Sequence, residues 1–251
     1  MSHRDLVRFR NALSILSLTA VMTIGFGQAC GPAFAPMKSG LDSSSGFLDV
    51  DERTACETAI PKPVISSIST LVQYINALPR PVQLNCLLAG LPRPLLVQAG
   101  NSSSSAQPSP GAKDPRILIR LPTMILAVVT DGSAKNSLEV SQLVSGTQYE
   151  RAEFIFPVTE AMISERAGLD HIKFGTGTTC GFCHQAEVGS RTLDGSPVFK
   201  SEILRFAPIE NVSVEAMRAE AVLCRTTGDQ SNRCLMFRTL FDGGEVRPTT
   251  F

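Results

Sequence analysis

The chain has 251 residues, of which 23 are basic and 23 acidic. That length supports one large or two small domains with a packed core. Removing residues 1–29 takes away Arg4, Asp5, Arg8 and Arg10 and leaves 20 basic and 22 acidic side chains, a balance without the clustered basic excess that nucleic-acid binding needs, so that class of partner is excluded.

At the N-terminus, Arg4, Arg8 and Arg10 precede an uncharged apolar run over 12–26. Ser14, Ser17, Thr19 and Thr23 interrupt this run, which is too short to span a bilayer and reads as an export signal covering 1–29. The small residues of Gly27-Gln28-Ala29-Cys30 resemble the lipobox of bacterial lipoproteins. That resemblance implies cleavage before Cys30, lipid on its sulfur, and attachment to a membrane by buried acyl chains. Gly31 stands where an Asp would resemble an inner-membrane retention signal, so the expected location is the cell envelope at the outer membrane. The competing readings are simple secretion, with a cut after Ala33-Phe34-Ala35, and a retained N-terminal anchor. Residues 30–46, rich in Pro, Ser and Gly, form a flexible tether.

The expected fold class is α+β, with a β-rich domain over 47–157 and a smaller, mostly helical part over 158–251. Ile68, Leu71, Val72, Ile75 and Leu78 recur at helical spacing and predict a helix over 65–78, stopped by Pro79. Pro79, Pro81, Pro92 and Pro94 then cut the chain into short pieces, with strands expected at 82–88 and 95–99 and a loop over 101–114. Apolar β-rich runs at 116–121, 124–130, 138–144 and 150–157, with an Asp131-Gly132 turn, predict an antiparallel sheet or small sandwich. A helix is expected over 159–168, and an irregular stretch with a turn near Asp194-Gly195 over 185–208. Two helices close the chain, 213–224 behind Ser213 and 231–242 ending at Gly243-Gly244.

With Cys30 set aside, the remaining cysteines belong to an exported chain, where thiols are held as disulfides or cofactor ligands. Proximity in sequence pairs Cys56 with Cys86 and Cys224 with Cys234. Cys180 and Cys183 are left in Cys180-Gly181-Phe182-Cys183-His184, a pattern that a random chain of this composition would contain roughly two times in a thousand. These five residues resemble the haem-attachment motif of c-type cytochromes. The resemblance implies covalent haem c, with Cys180 and Cys183 tethering the macrocycle, His184 as proximal iron ligand, and one-electron transfer with a redox partner protein. The distal position is left among Met236, Met217, Met162, His171 or an open face, with Met236 first because it stands far enough along the chain to return over the haem. Three other readings remain: an anchored, haem-free envelope protein in which Cys180 and Cys183 are bonded, a haem-based ligand sensor, and a zinc site, for which no second Cys/His pair stands at finger spacing. The approach over 174–179 is too rich in Gly and Thr to be helical. No G-x-S-x-G, H-E-x-x-H or phosphate-cradling loop is present.

Overall fold

The computed structural model describes Cys56 and residues 64–251, apart from 102–104, 106, 110 and 185. The export segment, Cys30 and the tether lie outside the described residues. Helix α1 (Ile68–Ala77) opens with a capping box between Ser67 and Thr70, and its buried face carries Ile68, Leu71, Val72 and Ile75. The Ile68 N–H is donated to Gln142 Oε1 at 2.7 Å, which fastens the start of this helix to the sheet. Helix α2 (Leu84–Ala89) stands where a strand was expected at 82–88. Its apolar run contains no β-branched residue after Val82, and a short apolar run does not distinguish helix from strand by periodicity.

The expected strands between 95 and 157 are present as β1 (Leu95–Gly100), β2 (Arg116–Arg120), β3 (Met124–Val129), β4 (Ser137–Ser145) and β5 (Gln148–Ile155). Helix α3 (Glu165–His171) begins later than the sequence suggested, behind Ser164. Next comes a short ladder of β6 (Lys173–Phe174) with β7 (Gly177–Thr178), with Gly175 at φ +57 between them. The stretch expected to be irregular instead forms a hairpin of β8 (Val188–Leu193) and β9 (Ser196–Glu202). Its turn places Asp194 and Gly195 at φ 48 and 77, the two successive left-handed residues that a right-twisted hairpin favours. Strand β10 (Asn211–Val212), helix α4 (Val214–Thr227), helix α5 (Asn232–Asp242) and strand β11 (Val246–Pro248) complete the chain. Ser213 and Ser231 cap the two helices, and Gly228 at φ 66 ends the first.

One sheet runs β10-β1-β2-β3-β4-β5-β9-β8, with β11 parallel to β1. Strands from both sides of the expected boundary at 157/158 therefore share a single sheet. They also share one apolar core, which extends from Cys56 to Val246 and to which helices α1 to α5 all contribute. The part after 158 contains three of these helices together with four of the strands of that sheet.

Alternation assigns the two faces. Ile117, Ile119, Leu126, Val128, Leu138, Val140, Ala152 and Phe154 enter the main core together with Leu71, Leu87, Met217, Met236 and Phe237 of the helices. Leu118, Ile125 and Ala127 point the other way, into a second apolar cluster with Tyr149, Ile203, Phe206 and Phe251. Burial on both faces explains why β3 reads as an unbroken apolar run. Disulfides join Cys56 to Cys86 and Cys224 to Cys234, the pairs expected from sequence. Phe237 is wholly buried in the main core whereas Leu223 is 52% exposed. Phe237→Ala should cost about 3 to 5 kcal/mol in urea unfolding, and Leu223→Ala should stay within about 0.5 kcal/mol of the parent.

Candidate functional site

The second face of the sheet is polar toward its β4–β5 end. Ser141 stands directly opposite Arg151, and Glu139 opposite Glu153. Glu139 pairs with Arg116 from β2, and the Ser137 hydroxyl donates to Glu153. The segment carrying the two cysteines and the histidine is laid over this stripe.

That segment is a single tight turn. Thr179–Phe182 form a 3-10 helix behind Thr178, whose hydroxyl oxygen accepts the Cys180 N–H at 3.1 Å. The Cys180 carbonyl accepts N–H groups from Cys183 at 3.1 Å and His184 at 2.9 Å. Glu187 closes the turn by accepting the Thr178 N–H at 2.9 Å and the Thr178 hydroxyl. A Cβ on Gly181 would stand 3.2 Å from Glu187 Oε1, so glycine permits this close approach. Thr179 N–H reaches back to the Ile172 carbonyl at 2.7 Å, which ties the turn to the end of α3. The approach is thus a β-ladder and turn, as its Gly and Thr content implied.

His184 is fixed by one backbone oxygen. Its Nδ1 lies 2.6 Å from the Glu202 carbonyl at the end of β9. A carbonyl can only accept, so Nδ1 carries the proton and Nε2 carries the lone pair in the neutral ring. Burial, followed by the charge of Arg151, holds the imidazole down to about 4, although the Glu202 hydrogen bond opposes this. The ring is therefore neutral at ordinary pH and has one oriented donor nitrogen. Cys180 has a free thiol. Burial, with a contribution from Glu139, pushes it up to about 12, so it is protonated and a poor nucleophile as it stands. Cys183 is disulfide-bonded, and its partner is not among the described cysteines. A bond between Cys180 and Cys183, the form expected for a haem-free protein, is not what the structure contains.

Arg151, 9% exposed, donates from Nη1 to Ser141 Oγ at 2.8 Å and from Nη2 to the Glu202 carbonyl at 2.8 Å. Its Nε, together with Arg116 Nε, Glu139 Oε1 and Ser201 Oγ, finds no hydrogen-bond partner among the described residues. On the solvent side, the rings of Phe174 and Phe182 meet at 5.1 Å and remain about half exposed.

The expected distal ligands are placed differently from one another. Met236 and Met217 are each 1% exposed within the core on the opposite face of the sheet from His184. Met236, the first expectation, is thus corrected to a core residue: its helix buries an apolar face, and the thioether fills space there. Met162 is 70% exposed. His171 stands on the same face as His184, with Nε2 3.6 Å from Glu153 Oε2. It is positioned by α3, whose Gly168 lies so close to β5 that a Cβ would come within 2.5 Å of the Phe154 ring.

Arg151, Glu187 and Glu202 were not singled out by sequence. Arg151 and Glu153 show only the outward phase of a strand, and a backbone carbonyl leaves no trace in residue identity. Among the described residues no group of three or more His, Cys, Asp or Glu could hold a metal by itself, and no helix is long and apolar enough to cross a membrane.

The residue types match those that hold a c-type haem on two counts, while the Cys183 sulfur is taken up by its disulfide in this structure. Two sulfur positions and an imidazole share one turn, and the imidazole is oriented through Nδ1 as iron-ligating histidines are, by a backbone carbonyl. Comparison of the chain with family models, curated proteins and solved structures finds no match.

On acidification the unfolded chain takes up a proton at His184 near 6.5, before the folded chain does near 4. The stability contributed by the neutral ring is whole above about 6.5, falls between about 6.5 and 4, and changes no further below that. Urea titrations of the haem-free protein should show this slope, and His184→Gln should flatten it.

Proposed function

We propose that the chain is an envelope-anchored, c-type haem electron-transfer protein. The reading is carried by the hydrogen bond between His184 Nδ1 and the Glu202 carbonyl, which presents a neutral Nε2 beside two cysteine positions in one turn. Cys180 and Cys183 would hold the macrocycle by thioether bonds and His184 would ligate the iron. The group would supply a one-electron ferric/ferrous couple, reduced by a donor protein and reoxidised by an acceptor protein. The chain's own residues orient the imidazole, keep it unprotonated and bury one edge of the site against the sheet. Of the residues expected at the distal position, His171 lies on the matching face and Met217 and Met236 do not. The half-exposed Phe174 and Phe182 offer apolar contact beside the motif. Lipid on Cys30 would hold the protein to the outer membrane through the 30–46 tether.

A second reading is favoured by the disulfide at Cys183. One sulfur cannot be in a disulfide and a thioether at once, so the cross-linked form is a haem-free envelope protein acting as a binding or structural module.

Co-expression with a cytochrome c maturation system, followed by a denaturing gel stained for haem peroxidase activity, separates the two. The wild-type band should stain, and Cys180→Ala and His184→Ala should lose most or all of the stain. A colourless, correctly exported wild-type band, with Cys183 bonded and no added porphyrin mass, would overturn the haem reading. Labelled palmitate should enter the wild type and fail to enter Cys30→Ala.

A further inference from the structure

Resting on the haem reading, we infer that Arg151 is a positioning residue that raises the reduction potential of the site by sharing the Glu202 carbonyl with the proximal His184. Both groups donate to that oxygen, Arg151 Nη2 at 2.8 Å and His184 Nδ1 at 2.6 Å, and the two nitrogens lie 3.5 Å apart. As both are donors, the short separation between them is a contact of like partial charges held together by the oxygen.

The guanidinium cannot swing away. Its strand position is fixed by the register that sets Arg151 against Ser141, and its other arm is bound to Ser141 Oγ at 2.8 Å. Among the described residues no carboxylate stands within ion-pair distance of it. Neighbouring Glu139 pairs with Arg116, Glu153 with His171, and the Glu202 carboxylate accepts from Thr147 at 3.0 Å. A buried positive charge with no ion-paired carboxylate among the described residues, offset only at longer range by Glu139, therefore adjoins the proximal ligand.

Two consequences have the same sign. A nearby cation favours the less positive, ferrous state, and it does so more strongly out of water than in it. Competition for the carbonyl lone pairs also weakens the polarisation of the His184 N–H, which makes the imidazole a poorer electron donor to the iron. Both raise the potential.

Potentiometric titration of the haem-loaded protein tests this. Arg151→Gln should lower the midpoint, shifting the one-electron equilibrium by about tenfold, or about 59 mV. Arg151→Lys, which keeps the charge, should recover most of that shift; a merely structural role would leave the two variants alike. If Arg151→Gln fails to accumulate, Ser141→Ala, which frees one arm of the guanidinium, should shift the midpoint downward by less. Haem-loaded Arg151→Gln with an unchanged or raised midpoint would overturn the inference and leave the proposed function standing, as would an unmoved Ser141→Ala where that variant carries the test. A wild type that takes no haem overturns both.

Discussion

Three residue pairs hold the candidate site to the rest of the molecule: Gln148 with Glu202, Tyr149 with Ser201, and Glu150 with Lys200. They join the β8–β9 hairpin to the edge of β5, and through that pairing the Glu202 carbonyl arrives beside Arg151 and His184. The pairing has its own buried anchor. Glu150, only 1% exposed, accepts from Ser190 Oγ at 2.7 Å and from Arg191 Nε at 3.1 Å across the hairpin. A carboxylate taken so far out of water demands partners of this kind, and it thereby specifies where the hairpin can dock. The oriented imidazole is therefore a product of strand register more than of the pentapeptide that contains it.

The sheet also divides the molecule by chemistry. One face is an apolar layer against helices, where Met217, Met236, Phe237 and the two staple disulfides are packed. The other carries a smaller apolar cluster at one end and charged strand residues at the other. Polar strand positions are ordinarily solvated, but here the turn of residues 179–184 covers them and turns strand side chains into the floor of a site. Such a floor combines satisfied and unsatisfied atoms, with Arg151 anchored through its terminal nitrogens but not through Nε.

Local signals in the sequence were legible where a single residue decides the backbone. Ser213 and Ser231 marked helix starts, Asp194-Gly195 marked a turn, and the four apolar runs between 116 and 157 marked strands of an antiparallel sheet. Residues 82–88 read as a strand but hold a helix over Leu84–Ala89, because Val82, Leu84, Cys86 and Leu88 alternate while Leu84, Leu87 and Leu88 also share a helix face. The β8–β9 hairpin was missed because Val188–Leu193 is mostly exposed and lacks an apolar face to alternate. Met236 illustrates a deeper limit. Sequence separation allowed it to reach His184, but only the sheet between them shows that it cannot. The motif itself was visible, whereas the carbonyl and guanidinium that orient it belong to strands far along the chain in either direction.

The staple disulfides and the free thiol belong to different faces of the sheet. Cys56, Cys86, Cys224 and Cys234 all belong to the helix-covered layer, while Cys180 faces Arg151 and Glu139 on the reverse side. The sheet stands between them. In the folded chain the free thiol and the two staple disulfides are thus kept on opposite sides of one sheet.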